Sequence, residues 1–208
     1  MDNKDHKETV KAGYNIIADR YIATRTRDSG DVRLLDELTT RLPAAAKVLD
    51  AGCGAGLPIS QMLSEKFEVT GVDFSEAQIE LAKKNVPDAT FICQDITKLD
   101  FPDNTFDGIC SYYAIIHIPR EEHQLLLTNF HRMLKPDGLA LLCLGAENVA
   151  DDIDENFLGT RMYWSHYDSE TYLEMLKQCG FSILWSKRVA DGTCEGAGHL
   201  FTLVQKQS

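Results

Sequence analysis

The chain has 208 residues, 44% of them hydrophobic, and a formal net charge of −11. That length suits one domain with a sizeable core. The acidic balance argues against a long phosphate backbone, and so against DNA as a partner, and no run of about eighteen uncharged apolar residues offers a membrane span. The charged start Met1-Asp2-Asn3-Lys4-Asp5-His6 stands where a signal peptide would be apolar, so a cytoplasmic protein is expected. Lys11, Arg20, Arg25 and Arg27 form one local basic group, which leaves room for tRNA or an anionic small molecule beside the simpler reading of a solvated helix face. The cysteines Cys53, Cys93, Cys110, Cys143, Cys179 and Cys194 never form C-x-x-C and read as reduced core residues.

In chain order, a helical region is expected from about His6 to Arg27, with Tyr14, Ile17, Ala18 and Tyr21 on one face. A second helix runs from about Asp31 to Arg41 and is closed by Pro43. The stretch Val48-Leu49-Asp50-Ala51 then reads as a buried strand. It enters Gly52-Cys53-Gly54-Ala55-Gly56, with glycine at every second position and a helix-compatible stretch directly behind. A turn without Cβ atoms lets backbone N–H groups approach a ligand, and the following helix adds a positive dipole end, which suits a nucleotide or nucleoside cofactor. The dinucleotide fingerprint G-x-G-x-x-G would place its third glycine where this chain has Leu57.

Pro58 to Phe67 continues as a helix, and Glu68 to Asp73 as a second strand, with Ser75 capping a helix from Glu76 to Asn85. Asp73, at the carboxyl end of its strand, is placed to accept hydrogen bonds from both hydroxyls of a ribose, or else to help cap the helix. Thr90 to Cys93 forms a third strand before Gln94-Asp95-Ile96, and Phe106 to Ser111 a fourth, after the turn Pro102-Asp103-Asn104. A helix from Arg120 to Leu134, the turn Lys135-Pro136-Asp137-Gly138 and the apolar strand Leu139 to Leu144 follow. Such alternation implies a parallel sheet with helices on both faces.

Between Glu147 and Asp168 lies an acidic run, Asp151 to Glu155, and then the aromatic run Met162-Tyr163-Trp164-Ser165-His166-Tyr167. So long a connection is expected to be functional or mobile, and its acids lack the spacing of an EF-hand. A helix from Ser169 to Cys179 ends at Gly180. Strands Phe181 to Val189 and Gly198 to Val204, joined through Asp191-Gly192 to Gly196, form a hairpin whose last strand must run antiparallel to its neighbour.

The G-x-G-x-G turn led by Asp50, the acid ending the second strand and the reversed last strand together resemble the class I S-adenosylmethionine-dependent methyltransferases. The specific motifs lie within residues 47 to 145. The resemblance implies an α/β fold with a doubly wound, mostly parallel seven-stranded sheet and an antiparallel C-terminal strand, in one domain spanning 1–208. Within it, 1–42 would be a helical lid, 43–145 the cofactor-binding core, and 146–208 a substrate loop, helix and hairpin.

It further implies S-adenosyl-L-methionine as cofactor. Gly52, Gly54 and Gly56 would admit the backbone, Asp50 would orient the amino-acid end, Asp73 hold the ribose and Asp95 the adenine amine, while Phe74 and Ile96 cover the ring. Ser111 and Tyr112 are expected at the methionine end, with Tyr21 reaching in from the lid, where Asn15 stands at a position that is often Asp in relatives. Tyr14, Tyr113, His117 and Trp164 are expected near the substrate, each with packing as its alternative role, and His117 is the candidate base if the acceptor atom is oxygen. No cluster of acids suits a metal-dependent catechol methyltransferase, and the N-P-P-Y motif of DNA-amino methylation is absent after the fourth strand. The expected activity is therefore in-line methyl transfer to a small-molecule acceptor. The alternatives are a non-catalytic S-adenosylmethionine-binding module, or a nicotinamide-dependent oxidoreductase, disfavoured by Leu57 and the terminal hairpin.

Overall fold

A computed structural model describes residues 3–24, 26–190 and 198–207. The chain opens with α1 (Asn3–Ile22) and the short α2 (Leu35–Thr39). It then alternates β1 (Lys47–Ala51), α3 (Ile59–Ser64), β2 (Glu68–Asp73), α4 (Glu76–Asn85), β3 (Thr90–Cys93), β4 (Phe106–Ser111), α5 (His123–Met133) and β5 (Leu134–Gly145). A hairpin of β6 (Val149–Phe157) and β7 (Thr160–His166) precedes α6 (Ser169–Gln178), β8 (Phe181–Ala190) and β9 (Gly198–Lys206).

Local chemistry accounts for the boundaries that matter most. The Ser75 hydroxyl accepts the Gln78 N–H at 3.2 Å and caps α4, and Pro87 follows its last turn. Asp168 caps α6 through the Thr171 N–H at 2.9 Å, and Gly180 terminates it at φ +92°, a conformation that glycine adopts without strain.

The main sheet has the order β3-β2-β1-β4-β5-β9-β8, and β9 alone runs antiparallel to the other six strands. The expected seven-stranded sheet is thus present, with the reversed strand lying between β5 and β8 instead of at the edge. Successive strand residues face opposite sides, so the sheet carries two cores. Leu49, Ile109 and Leu142 face Phe130 of α5 and Tyr172 of α6, whereas Val48, Cys110 and Leu141 face Leu35 of α2 and Leu63 of α3. The chain leaves β1 toward β2 and β3, then returns to place β4 on the other side. Such a reversal of strand order opens a crevice at the carboxyl ends of β1 and β4.

Three expectations need correction. The segment from Glu147 to Asp168, expected as a long connection, is the β6–β7 hairpin, turned at Leu158 and Gly159 with φ +48° and +87°. Two positive φ values in a two-residue loop match the twist of the flanking strands. Acidic residues are poor strand formers, and the ladder is interrupted twice, so the alternation that would announce β6 is hidden. The second helix begins as a 3-10 turn, Val32–Leu34. The cysteines are not all core: Cys53, Cys110 and Cys143 are buried, Cys179 is half-buried and Cys93 is exposed. Cys194, Arg25 and the turn Asp191-Gly192 to Gly196 lie outside the described residues. Among the described residues no helix is long and apolar enough to cross a membrane.

Candidate active site

The turn after β1 folds back on β2, with the N–H groups of Gly52 and Cys53 both donating to the Val72 carbonyl at 2.8 and 3.0 Å. Its three glycines serve three different purposes. Gly52, at φ +82°, has no room for a side chain, because a Cβ there would lie 2.1 Å from the Ala114 Cβ. Gly54, at φ +52°, faces open space, and a Cβ built on it would meet only the Gln78 Oε1, at 3.6 Å. Gly56 turns its back to the cavity and packs on Val86, Phe91 and Ala82, so it is a packing glycine and not part of a cradle.

The carboxylates divide just as clearly. Asp50 is 1% exposed. It accepts the Ser60 hydroxyl at 2.5 Å and the Cys110 thiol at 3.5 Å, and burial pushes its pKa up to about 6. Asp73 accepts the Ser75 and Gly54 backbone N–H groups at 2.9 and 3.0 Å. Burial raises it to about 6 despite those bonds. A carboxylate has about four acceptor positions, so Asp73 keeps capacity for a ligand. Asp95 differs: burial pushes it up, but the Thr97 N–H and hydroxyl and the Lys7 ammonium outweigh that and hold it below the ordinary carboxylate range.

Gly52, Gly54, Asp73 and Asp95 line one cavity. Gly52, Gly54, Asp73, Phe74, Asp95 and Ile96 form its floor and sides, and Tyr112, Tyr113 and His117 continue the wall past β4. A neighbouring pocket shares Tyr21, Gly52, Gly54, Tyr112 and Tyr113 and is the one that Asp50 lines. Tyr113 adopts φ +54°, unusual for a residue with a side chain. It is held there by its hydroxyl, which donates to the Asp31 carboxylate at 3.0 Å, while the Tyr112 hydroxyl donates to the Asp31 carbonyl at 3.2 Å.

Helix α1 covers the cavity, contributing Lys7, Val10, Tyr14 and Tyr21. Its fastening is polar at both ends. Lys7 donates to Asp95, Thr97 and Glu122 at 3.2, 2.9 and 2.5 Å. The Asn15 side-chain oxygen accepts from the Ser75 hydroxyl and the Ala77 N–H at 2.6 and 3.2 Å. Behind α1, Val10 and Ile17 pack on Met162 and Tyr163 of β7. His117 joins the two layers. Its Nδ1 lies 2.7 Å from the Tyr163 carbonyl, so Nδ1 carries the proton, and Nε2, 2.9 Å from the Tyr14 hydroxyl, accepts from it. Burial pulls His117 down to about 4, so the imidazole is neutral near pH 7.

Two expected contacts lie elsewhere. Ser111 is fully buried off both cavity walls, its hydroxyl donating to the Ala51 carbonyl at 2.8 Å and bracing β4 on β1. Trp164 also lies off both walls, packing on His117 and Phe157 at 5.3 and 5.2 Å between ring centres. Lys7, Gln78, Ala114 and Asp31 were not singled out from the sequence. Of these only Gln78 carried a local signal, standing three residues after the Ser75 cap and so on the first turn of α4.

A family model described as a methyltransferase domain matches residues 48–138. Phosphoethanolamine N-methyltransferase 3 of Arabidopsis thaliana is 34% identical over 193 residues, covering 87% of this chain and 37% of that protein. Demethylmenaquinone methyltransferase of Staphylococcus aureus is 28% identical over 155 residues, covering 69% and 62%. This chain therefore spans less than two thirds of the length of either relative. Among solved structures, the Burkholderia thailandensis 1,6-didemethyltoxoflavin-N1-methyltransferase, with 1,6-didemethyltoxoflavin and S-adenosylhomocysteine bound, superposes with a TM-score of 0.77 at 20% identity. The match covers 100% of this chain and 92% of that one.

Proposed function

We propose that this chain, which matches a methyltransferase-domain family model over residues 48–138 and resembles methyltransferases in sequence and fold, is a class I S-adenosylmethionine-dependent methyltransferase that binds S-adenosyl-L-methionine in the cavity beneath α1 and methylates a small-molecule nucleophile. The observation that carries this reading is the pairing of a side-chain-free Gly54 with an Asp73 carboxylate that retains acceptor capacity on the same wall. That pairing fits the group. An adenosyl ligand needs a close backbone and an acceptor for its ribose hydroxyls. Asp95 and Ile96, further along the wall, would hold the adenine amine and cover the ring.

Asp50, already engaged by Ser60 and Cys110, would act through the turn it braces. When bound, the cofactor supplies a sulfonium-activated methyl group and its own leaving group. The protein's share is to align the acceptor and exclude water, which well-oriented systems convert into about 7–11 kcal/mol of barrier. Helix α1 does the excluding, as a cover fastened at Lys7 and Asn15. Tyr14, held by His117 and facing the same cavity, would orient the acceptor. A histidine held near 4 is a weak proton acceptor at neutral pH, which favours acceptors that need little help from a base, such as a neutral amine or a thiolate. The names of the plant and staphylococcal relatives both specify small acceptors.

Calorimetric titration with S-adenosylhomocysteine, followed by an acceptor panel read by S-adenosylhomocysteine release, tests the proposal. Saturable binding with turnover on at least one small acceptor is expected. Binding without any turnover would reduce the chain to a cofactor-binding module, and an absence of binding would end the reading.

A further inference from the structure

Among the described residues of the cavity wall, Gln78 is the one with buried side-chain polar atoms that have no partner. It sits in the first turn of α4, is 1% exposed, and its backbone N–H is taken by the Ser75 cap. Its side chain lines the cavity, and Oε1 is the atom that a Cβ on Gly54 would approach. Neither Oε1 nor Nε2 has a hydrogen-bond partner among the described residues. Leaving an amide donor and an amide acceptor both buried and unpaired is costly, and native proteins keep few such groups without a reason. An apolar side chain of equal length would serve the packing better. The amide therefore awaits something that enters the cavity.

Its chemistry says what. Asp73, at the end of β2 and on the same cavity wall, offers acceptors alone, whereas the Gln78 amide offers both a donor group and an acceptor group. A carboxylate in the ligand would leave Oε1 unpaired, and an ammonium would leave Nε2 unpaired. A vicinal diol satisfies both, since each hydroxyl donates and accepts. Its hydroxyls can donate to Asp73 and Oε1 while one of them accepts from Nε2. The neighbourhood of Gly54 and Asp73 separates this group from the adenine end, where Asp95 is held by Thr97 and Lys7.

We propose that Gln78 is a cofactor-positioning residue that, with Asp73, reads the two ribose hydroxyls. This rests on the S-adenosylmethionine reading of the same cavity.

The test is calorimetry of S-adenosylhomocysteine, its 2′,3′-dideoxyribose analogue and its inosine analogue, on the wild-type chain and on Gln78→Leu and Gln78→Met. Both variants remove the amide and keep an apolar side chain of similar size, and their melting temperatures without ligand should equal or exceed that of the wild type. Each should bind S-adenosylhomocysteine on the order of tenfold or more weakly. Removing the hydroxyls from the ligand should weaken binding to the wild type but cost the variants much less, while the inosine change should cost all three proteins alike. Affinities within twofold of wild type, or a penalty in the variants that follows the base instead of the sugar, would overturn the assignment and leave the cofactor reading intact. Failure of the wild type to bind S-adenosylhomocysteine would remove both.

Discussion

The floor and the cover of the cavity are built on opposite principles. The floor, from β1 to β3, relies on short-range necessity: glycines at positive φ, a carboxylate that takes the N–H two residues on, and a serine cap, all set within a few residues of one another. Two of its acids, Asp50 and Asp73, are buried, held by hydrogen bonds, and raised to about 6 by that burial. The cover, α1 with β6 and β7, is held by contacts between residues far apart in the chain: Lys7 with Glu122, Tyr14 with His117, and His117 with the Tyr163 carbonyl. A floor of this kind is preorganised by its own backbone. A cover of this kind depends on the rest of the molecule being folded first, and it can be weakened one fastening at a time.

The largest expected effect is on the floor, and it separates two glycines that look equivalent in the motif. Gly52→Ala forces a Cβ to within 2.1 Å of Ala114 in a left-handed conformation, so a stability loss of more than about 3 kcal/mol is expected in chemical unfolding. Gly54→Ala meets no protein atom closer than 3.6 Å, so only the left-handed strain of about 1–2 kcal/mol applies. S-adenosylhomocysteine binding, however, should be lost, because the new methyl group occupies the open face. If the two variants lose stability equally, the division of labour within the turn is wrong.

Next in size is the point where the cover meets the chemistry. Tyr14→Phe removes one hydroxyl and leaves His117 Nε2 without that donor. Turnover should fall by about tenfold to a hundredfold, with S-adenosylhomocysteine affinity within twofold of wild type. A loss of affinity with turnover per bound cofactor unchanged would move Tyr14 from the acceptor to the cofactor.

The division between floor and cover also marks what could be read before any coordinates. Strand ends at Ala51, Asp73 and Ser111, the α4 cap and the reversed last strand were legible because glycine spacing, capping chemistry and hydrophobic runs act locally. Gly56 and Ser111 were placed in the site by the same motifs, but a motif does not say which way a residue points: Gly56 backs onto α4 and Ser111 binds the sheet. The hairpin over the cavity was missed because its strands are acidic and its ladder irregular, and Lys7 because its three partners lie 88 to 115 residues away.

Acid pH sharpens the comparison, since the two regions respond with opposite sign. Asp50 and Asp73, raised from about 3.9 in the unfolded chain to about 6, bind more protons when folded, so acidification from about 6 to 4 favours the native state through them. His117 of the cover and His123, at the start of α5, are both lowered by burial from about 6.5 to about 4. The stability these two contribute is complete above 6.5 and is lost as the pH falls toward 4. The two acids thus offset part of the acid loss from the histidines, and Asp73→Asn should expose a steeper acid loss. Cofactor binding has no such compensation: protonated Asp73 loses an acceptor, so affinity should decline below about pH 6. An affinity flat from pH 5 to 7 would take Asp73 off the ribose.

The smallest effect tests whether the cover is a cover at all. Lys7 bridges Asp95 and Glu122 with side chains that are 17%, 18% and 28% exposed, sheltered enough for the pairs to count but open enough for salt to reach them. In Lys7→Met the apolar stem is kept and the cation removed, so the two carboxylates face each other and the N-terminal turns of α1 lose their fastening, at a cost of about 1 kcal/mol in stability. If α1 closes over bound cofactor, S-adenosylhomocysteine should dissociate several-fold faster in stopped-flow measurements, with association nearly unchanged. The wild-type dissociation rate should approach that of the variant as salt is raised. The opposite pattern, faster association with dissociation unaltered, would mean that α1 obstructs entry without holding the ligand in, and the region before residue 42 would then be a fixed wall of the cavity.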